Sequence, residues 1–337
     1  MDGPDLFQHL RALTDHRGVF EHALLDTPRR EHGYCVDDVA RALIVVVREP
    51  DHDPELQRLG EIYLGFLEAA IGTDGLAHNR MDEHGEWTDE PSMGDWWGRL
   101  LWGLGTAAAR APDAHIRARA LHAFDRAAQQ ESQDLRTIAF AALGASEVAS
   151  RHPDDMPARH LLRELIDAIP QSTDTDWPWP EPRLRYANAS IAEALIAAGG
   201  RLGDDEAVGR GLTLLEFLLS VETSADRLSV TGHGGRGPDD VGPLFDQQPI
   251  EVAAIADASA RAFEQTDDDR WLIGIALAWQ WFRGRNDSHT PMVDEGTGAG
   301  FDGLERDGRN ENRGAESTLA AISTHQQARR VGALEDT

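Results

Sequence analysis

The stretch "VDDVARALIVVVREPDHDPELQRLGEIYLGFLEAAIG", residues 36–72, carries the pattern that repeats along the chain. Its first part, "ARALIVVV", is apolar on nearly every side and predicts a buried helix over 36–48. Its second part, "ELQRLGEIYLGFLEAA", sets apolar residues at helical spacing against a charged face and predicts an amphipathic helix over 54–72. Only "EPDHD" separates them, too short for anything but an antiparallel return. The unit is one inner helix followed at once by one outer helix.

Working outward, breakers and periodicity place helices near 4–14, 36–48, 54–72, 94–110, 113–130, 135–151, 157–169, 187–199, 205–221, 248–265, 269–283 and 314–328. Even-numbered members are lined with small and apolar residues, as in "LLWGLGTAAA", "TIAFAALGA", "IAEALIAAGG", "EVAAIADASA" and "STLAAIS". Most odd-numbered members carry a charged face; 269–283, apolar almost throughout, breaks the rule. Even-to-odd links are short ("APDA", "RHPDDMP", "GGRLGDD", "QTDDD"). Most odd-to-even links are long: 15–35, 73–93, 170–186, 222–247 and 284–313, with 130–134 the exception. Six inner and six outer helices in alternation describe an all-α (α/α)6 toroid, with short extended hairpins in long loops at one face. "GLAHNRMDEHGEW" and "DRLSVTG" are the candidate hairpins. The alternation runs through one domain over 1–330, leaving 331–337 as a tail.

Composition narrows the chemistry. All 32 basic residues are arginine, which removes Schiff-base, PLP-aldimine and P-loop lysines. A net charge of −27 repels nucleic-acid phosphates. No apolar run reaches the roughly 18–20 residues of a membrane span, and the acidic N-terminus lacks a signal peptide's pattern, so the expected address is cytoplasmic. One cysteine, Cys35, excludes a disulfide framework and a Cys-based zinc site, and the 14 histidines form no metal signature. Neither metal nor cofactor is expected.

In a toroid the starts of the inner helices converge on one funnel. These starts carry Asp37 and Asp38; Asp95 in "MGDWWGR"; Asp134 and Arg136 in "QDLR"; Tyr186 and Asn188 in "RYANAS"; Gln247, Gln248 and Glu251 in "FDQQPIE"; and Asn310, Asn312, Arg313 and Glu316 in "GRNENRGAEST". Helix capping is the plain reading of Asp37, Asp95 and Asp134. It leaves the Gln-Gln, Asn-Glu-Asn and Trp-Trp runs at the same end without explanation. Of the adjacent pair, Asp37 is expected to cap and Asp38 to face the funnel.

Two carboxylates with separated pKa values are what glycosidic cleavage requires. The expected pair takes Asp38 or Asp95 as general base and Glu316 or Glu251 as general acid, and inversion of configuration is expected because toroid glycosidases of this general type commonly invert. Trp96, Trp97, Trp177 and Trp179 lie in or beside the long loops, where indole faces stack on sugar rings. His78 and Arg80, on the "HNRMDEH" hairpin, join the polar set for sugar hydroxyls. A sugar epimerase would instead use histidine as acid and base, which keeps His16, His22, His32, His78 and His233 in view. A third alternative is a non-catalytic glycan-binding protein.

In order along the chain, "TDHRGVFEHA", "REHGYCVDDVARALIVV", "GDWWGRLLWGLG", "IAFAALG", "YANASIAEALIAAG", "FDQQPIEVAA", "WFRGRND" and "GAGFDGLERDGRNENRGAESTLA" span about residues 14–325. The set resembles a bacterial glycosyltransferase-associated family of the six-hairpin glycosidase-like toroids, found alone or behind a glycosyltransferase module. The resemblance implies a carbohydrate substrate and a separately encoded glycosyltransferase as partner. The wider superfamily implies hydrolases, phosphorylases, lyases and sugar epimerases.

Overall fold

The structure is a computed structural model that describes residues 5–50 and 53–334. An inner ring is built from α2 (Val36–Arg48), α4 (Asp95–Arg110), α6 (Leu135–Arg151), α8 (Ala189–Leu202), α10 (Pro249–Thr266) and α12 (Ala315–Arg330). Each packs on the next, and α12 returns to α2 to close the ring. Outside it lie α1 (Gln8–Leu13), α3 (Pro54–Ala70), α5 (Ala114–Ala127), α7 (Met156–Ala168), α9 (Asp205–Glu222) and α11 (Leu272–Phe282). The expected (α/α)6 toroid is the observed fold. Of the expected tail, Val331–Leu334 forms turns against the core; 335–337 lie outside the described residues, as does residue 4 of the first expected helix.

The two layers follow from side-chain volume. Inner helices meet neighbours on both sides, so small residues set how closely they approach. At the α4–α6 crossing a Cβ on Gly144 would sit 2.2 Å from the Leu101 carbonyl oxygen. Gly144→Ala is therefore expected to destabilise the chain by about 1–3 kcal/mol through overpacking, read by urea unfolding. The odd helix, 269–283, begins with a 3-10 turn (Asp269–Trp271) before α11. Part of its apolar character has a tertiary cause, because loops cover its last turn while Ile273 in its first turn stays exposed. Trp281 donates to Gln247 Oε1 at 3.2 Å, and the Met292 amide to the Phe282 carbonyl at 2.7 Å.

Among the described residues five two-stranded antiparallel pairs lie between helices: β1/β2 (Ala23–Leu24, Thr27–Pro28), β3/β4 (Tyr34–Cys35, Arg80–Met81), β5/β6 (Thr223–Ser224, Arg227–Leu228), β7/β8 (Val293–Asp294, Ala299–Gly300) and β9/β10 (Gly303–Glu305, Gly308–Asn310). The β3/β4 pair joins two long loops and brings Arg80 beside the start of α2.

The helix starts differ by layer. Outer helices α3, α5, α7 and α9 are capped by Asp53, Asp113, Asp155 and Asp204, each accepting backbone N–H bonds. Among the inner helices only α6 is capped in this way, by Asp134. Cys35, Gly94, Asn188, Gln248 and Gly314 precede the other five without a side-chain cap bond. Asp37 and Asp95 thus do not cap. Each sits one or two residues inside its helix, where its carboxylate is free to turn toward the ring axis.

Candidate active site

A cavity of about 440 Å³ opens at the N-terminal end of α2, α10 and α12. Asp37, Asp38, Arg80, Gln248, Asn310 and Glu316 from the sequence reading line it, and His22 from the histidine set does too. Glu21, Cys35, Arg41, Asp302 and Ser317 complete the wall and were not anticipated. Arg41 was the one most open to inference: it stands three residues after Asp38, on the same helix face.

Arg41 organises the floor. One nitrogen, Nη1, bonds Asp38 Oδ1, and the other, Nη2, bonds Glu316 Oε2 at 2.8 Å. The two acids therefore share one guanidinium while differing in exposure. Asp38 is 2% exposed, whereas the Glu316 side chain is 39% exposed. Burial pushes the Asp38 carboxyl up to about 7, against the pull of Arg41 and helped by the Glu316 and Glu21 charges. The Cys35 thiol donates to Asp38 Oδ2 at 3.1 Å. Burial first, then the neighbouring Asp38 charge, hold that thiol in its protonated form.

A second buried guanidinium, Arg99, lies behind this floor. It stacks over Phe140 at 3.9 Å and pairs with Asp37 at 3.4 Å. Burial and the Arg41 charge bring it down to about 10. Asp95 accepts from Thr137 Oγ1 at 3.1 Å, and burial raises its pKa. It stands beside Arg99 and is absent from the cavity wall.

Other expected site residues are struts. Glu251 is buried and accepts from the Ala187 amide, the Asn188 amide at 3.3 Å and Asn188 Nδ2 at 3.0 Å. Burial and the nearby Glu222 carboxyl push it up to about 8. It holds the 185–188 loop from below instead of facing the cavity. Arg136 grips the same loop, bonding Glu181 at 2.7 Å, the Tyr186 carbonyl at 2.7 Å and Asn188 Oδ1 at 3.1 Å. Gln247 is spent on Asp287 and Trp281. Asn312 receives the Leu25 amide, and Arg313 lies over Phe301 at 4.8 Å. Tyr186, exposed, stacks with Arg136.

The tryptophans are mainly packing groups. Trp97 and Trp179 are buried, the first donating to the Gly75 carbonyl and the second stacked near Phe217. Trp177 meets Phe217 edge-on and donates to the Glu181 carbonyl; Trp96, half-buried, donates to the Ala77 carbonyl. His78 stacks on Trp87 at 4.8 Å, with its Nδ1 against the Asp89 carbonyl. None of these lines the cavity.

Glu251→Ala is expected to lower stability by about 1–3 kcal/mol by orphaning three donors, while kcat in the folded fraction changes less than about tenfold. Thermal melts alongside kinetics will separate the two effects.

No protein-family model and no curated protein matches the chain. Solved structures do. A sugar epimerase from a ruminal bacterium superposes with a TM-score of 0.74 at 12% identity, over 96% of this chain and 95% of that one. Cellobiose 2-epimerase from Bacillus thermoamylovorans B4167 gives 0.72 at 11%, over 96% of each chain. A GH76 alpha-mannanase from Bacteroides thetaiotaomicron gives 0.65 at 11%, over 97% and 95%. What these structures share with the chain is the (α/α)6 toroid fold. At these identities the likeness is one of architecture, and the toroid's cavity has to speak for its own chemistry.

Proposed function

We propose that this toroid is a carbohydrate-active enzyme that cleaves a glycosidic bond, with Asp38 as general acid and Glu316 as the second carboxylate. The observation that carries the reading is the sharing of Arg41. One acid of the pair is buried and protonated near neutral pH; the other opens to the cavity. This is the asymmetry an acid and its partner need, with the roles the reverse of those expected from the sequence.

Bridging through the two Nη atoms of Arg41 allows the carboxylates separations that take in both a retaining pair (~5–5.5 Å) and the short end of an inverting one (~6.5–9.5 Å). Glu316 therefore serves either as the base for water in the inverting course expected from the sequence or as the nucleophile in a retaining one. The wall carries Glu21, Asp37, Asp38, Asp302 and Glu316 against Arg41 and Arg80, which suits an uncharged saccharide better than a phosphorylated or uronic one. A separately encoded glycosyltransferase remains the proposed partner, on the strength of the sequence motifs.

The second reading is a sugar epimerase, favoured by the epimerase architectures and by His22 on the cavity wall. His22 meets His32 edge-on at 5.1 Å, so these two rings pack on each other instead of flanking the cavity from opposite sides. NMR of the protein with neutral oligosaccharides separates the readings. New reducing ends, with the first anomer giving the stereochemistry, support cleavage. A C2 epimer formed without new ends would replace it, and binding without either product would make the protein a glycan-binding module.

A further inference from the structure

The ring axis holds more than the funnel. Below Arg41 and Glu316 it narrows to an apolar waist of about 50 Å³ between Ile44, Trp102, Ile250 and Leu319. Beyond the waist a second cavity of about 270 Å³ opens at the opposite, C-terminal end of the inner helices. Arg48 and Asp257, 2.9 Å apart, border both spaces.

Five arginines line this back cavity: Arg48, Arg110, Arg261, Arg329 and Arg330. In a chain this acidic they suggest an anion site, but each is accounted for. Arg48, Arg110, Arg329 and Arg330 stand in the last turns of α2, α4 and α12, where cations offset the helix dipole. All five are paired with carboxylates: Asp257 for Arg48, Glu147 for Arg110 and Arg261, Glu49 for Arg329 and Glu264 for Arg330.

What pairing leaves over is a different set. Glu193 is 2% exposed, and its Oε2 has no hydrogen-bond partner among the described residues. Gln326 is 8% exposed; its Nε2 donates to the Val45 carbonyl at 2.8 Å and to Glu49 Oε2 at 3.1 Å, while its Oε1 has no hydrogen-bond partner among the described residues. Both side chains line the cavity. Burial, with the Asp257 charge adding to it, pushes the Glu193 carboxyl up to about 8, so it carries a proton to donate at neutral pH. Gln326 Oε1 only accepts. Arg261 Nε, which faces Glu193 Oε1 at 3.9 Å, has no hydrogen-bond partner among the described residues and only donates.

We propose that the back cavity is a second binding site, for a neutral polyhydroxylated molecule of monosaccharide size. A rotation of Glu193 and Gln326, whose unpartnered oxygens lie just beneath the cavity surface, brings them to its hydroxyls, and the aliphatic faces of Pro50 and Ala260 lie against its carbons. Hydroxyls both donate and accept, which is what this mixed set of groups without hydrogen bonds requires; a carboxylate has no proton to give Gln326, and a phosphate's charge would face the Glu193, Asp257 and Glu264 carboxyls. The site is separate from the cavity proposed for catalysis and does not depend on that reading.

The test is isothermal titration with D-glucose, D-mannose and myo-inositol, and with inorganic phosphate as the anionic probe. It uses the wild type and the funnel variant Asp38→Asn/Glu316→Gln. At least one of the three polyols should bind both proteins with the same affinity. Gln326→Leu and, independently, Ala260→Phe, which fills the cavity, should each weaken that binding tenfold or more while circular dichroism shows the fold retained. Absence of binding by all three polyols overturns the proposal. So does binding that the funnel variant removes or that both back-cavity variants leave intact, and so does binding of phosphate alone.

Discussion

Glu316→Gln and Asp38→Asn will each reduce turnover by about 10³-fold or more with the fold intact. Asn is close to isosteric with the protonated Asp38 and is equally neutral, so it keeps the packing while losing the transferable proton. Gln at 316 keeps a contact to Arg41 and loses the charge that activates water or attacks the anomeric carbon. In the wild type, activity should fall about tenfold per pH unit above pH ~7. There Asp38, at about 7, gives up the proton that the leaving group needs. The same group contributes to stability with a defined sign. Its folded pKa lies above the ordinary 3.8, so the folded state binds the extra proton and this contribution is lost as pH rises through about 7. Steady-state rates across pH, on a saccharide identified by NMR, check both points. A variant of either acid with near-normal activity would remove the assignment.

The second large effect is expected at Arg41. Its side chain is 14% exposed and holds Asp38 and Glu316 together. Arg41→Met leaves two carboxyls facing each other without their shared counter-charge. At pH 8 the loss should reach about 3–5 kcal/mol, the usual cost of removing one partner from a buried ion pair. At pH 5 Asp38 is protonated and carries no charge to strand, so the deficit should shrink to about 1–2 kcal/mol. Urea unfolding at the two pH values measures the difference. An equal deficit at both would mean that Asp38 and Arg41 are not electrostatically coupled in the way described.

Much of the site was legible because the fold was. Asp37, Asp38, Gln248 and Glu316 were found by asking which polar residues begin the inner helices, and a toroid brings such residues together. The same rule also admitted Glu251, Gln247, Asn188 and Arg136. Their side chains point under the loops, and a position near a helix start does not reveal that direction. Glu21 and Asp302 were missed for the converse reason: they belong to long loops whose path has no periodicity to read. The capping interpretation of Asp37 and Asp95 failed by one or two residues, since a cap must precede the helix and these acids stand inside it.

The sequence by itself determined the layers. Residues small and apolar on every side can only be buried between neighbours, and a charged face can only lie outside, so alternation of the two closes a ring. Link lengths then determined which end of that ring carries the loops. Only the tertiary structure decided which acid is buried, because desolvation of Asp38 depends on β3, β4 and α12 closing around it. Sharing of Arg41 between Asp38 and Glu316 was likewise a tertiary outcome. Those acids stand 278 positions apart in the chain, as their numbers give, and meet only where the last inner helix returns to the first.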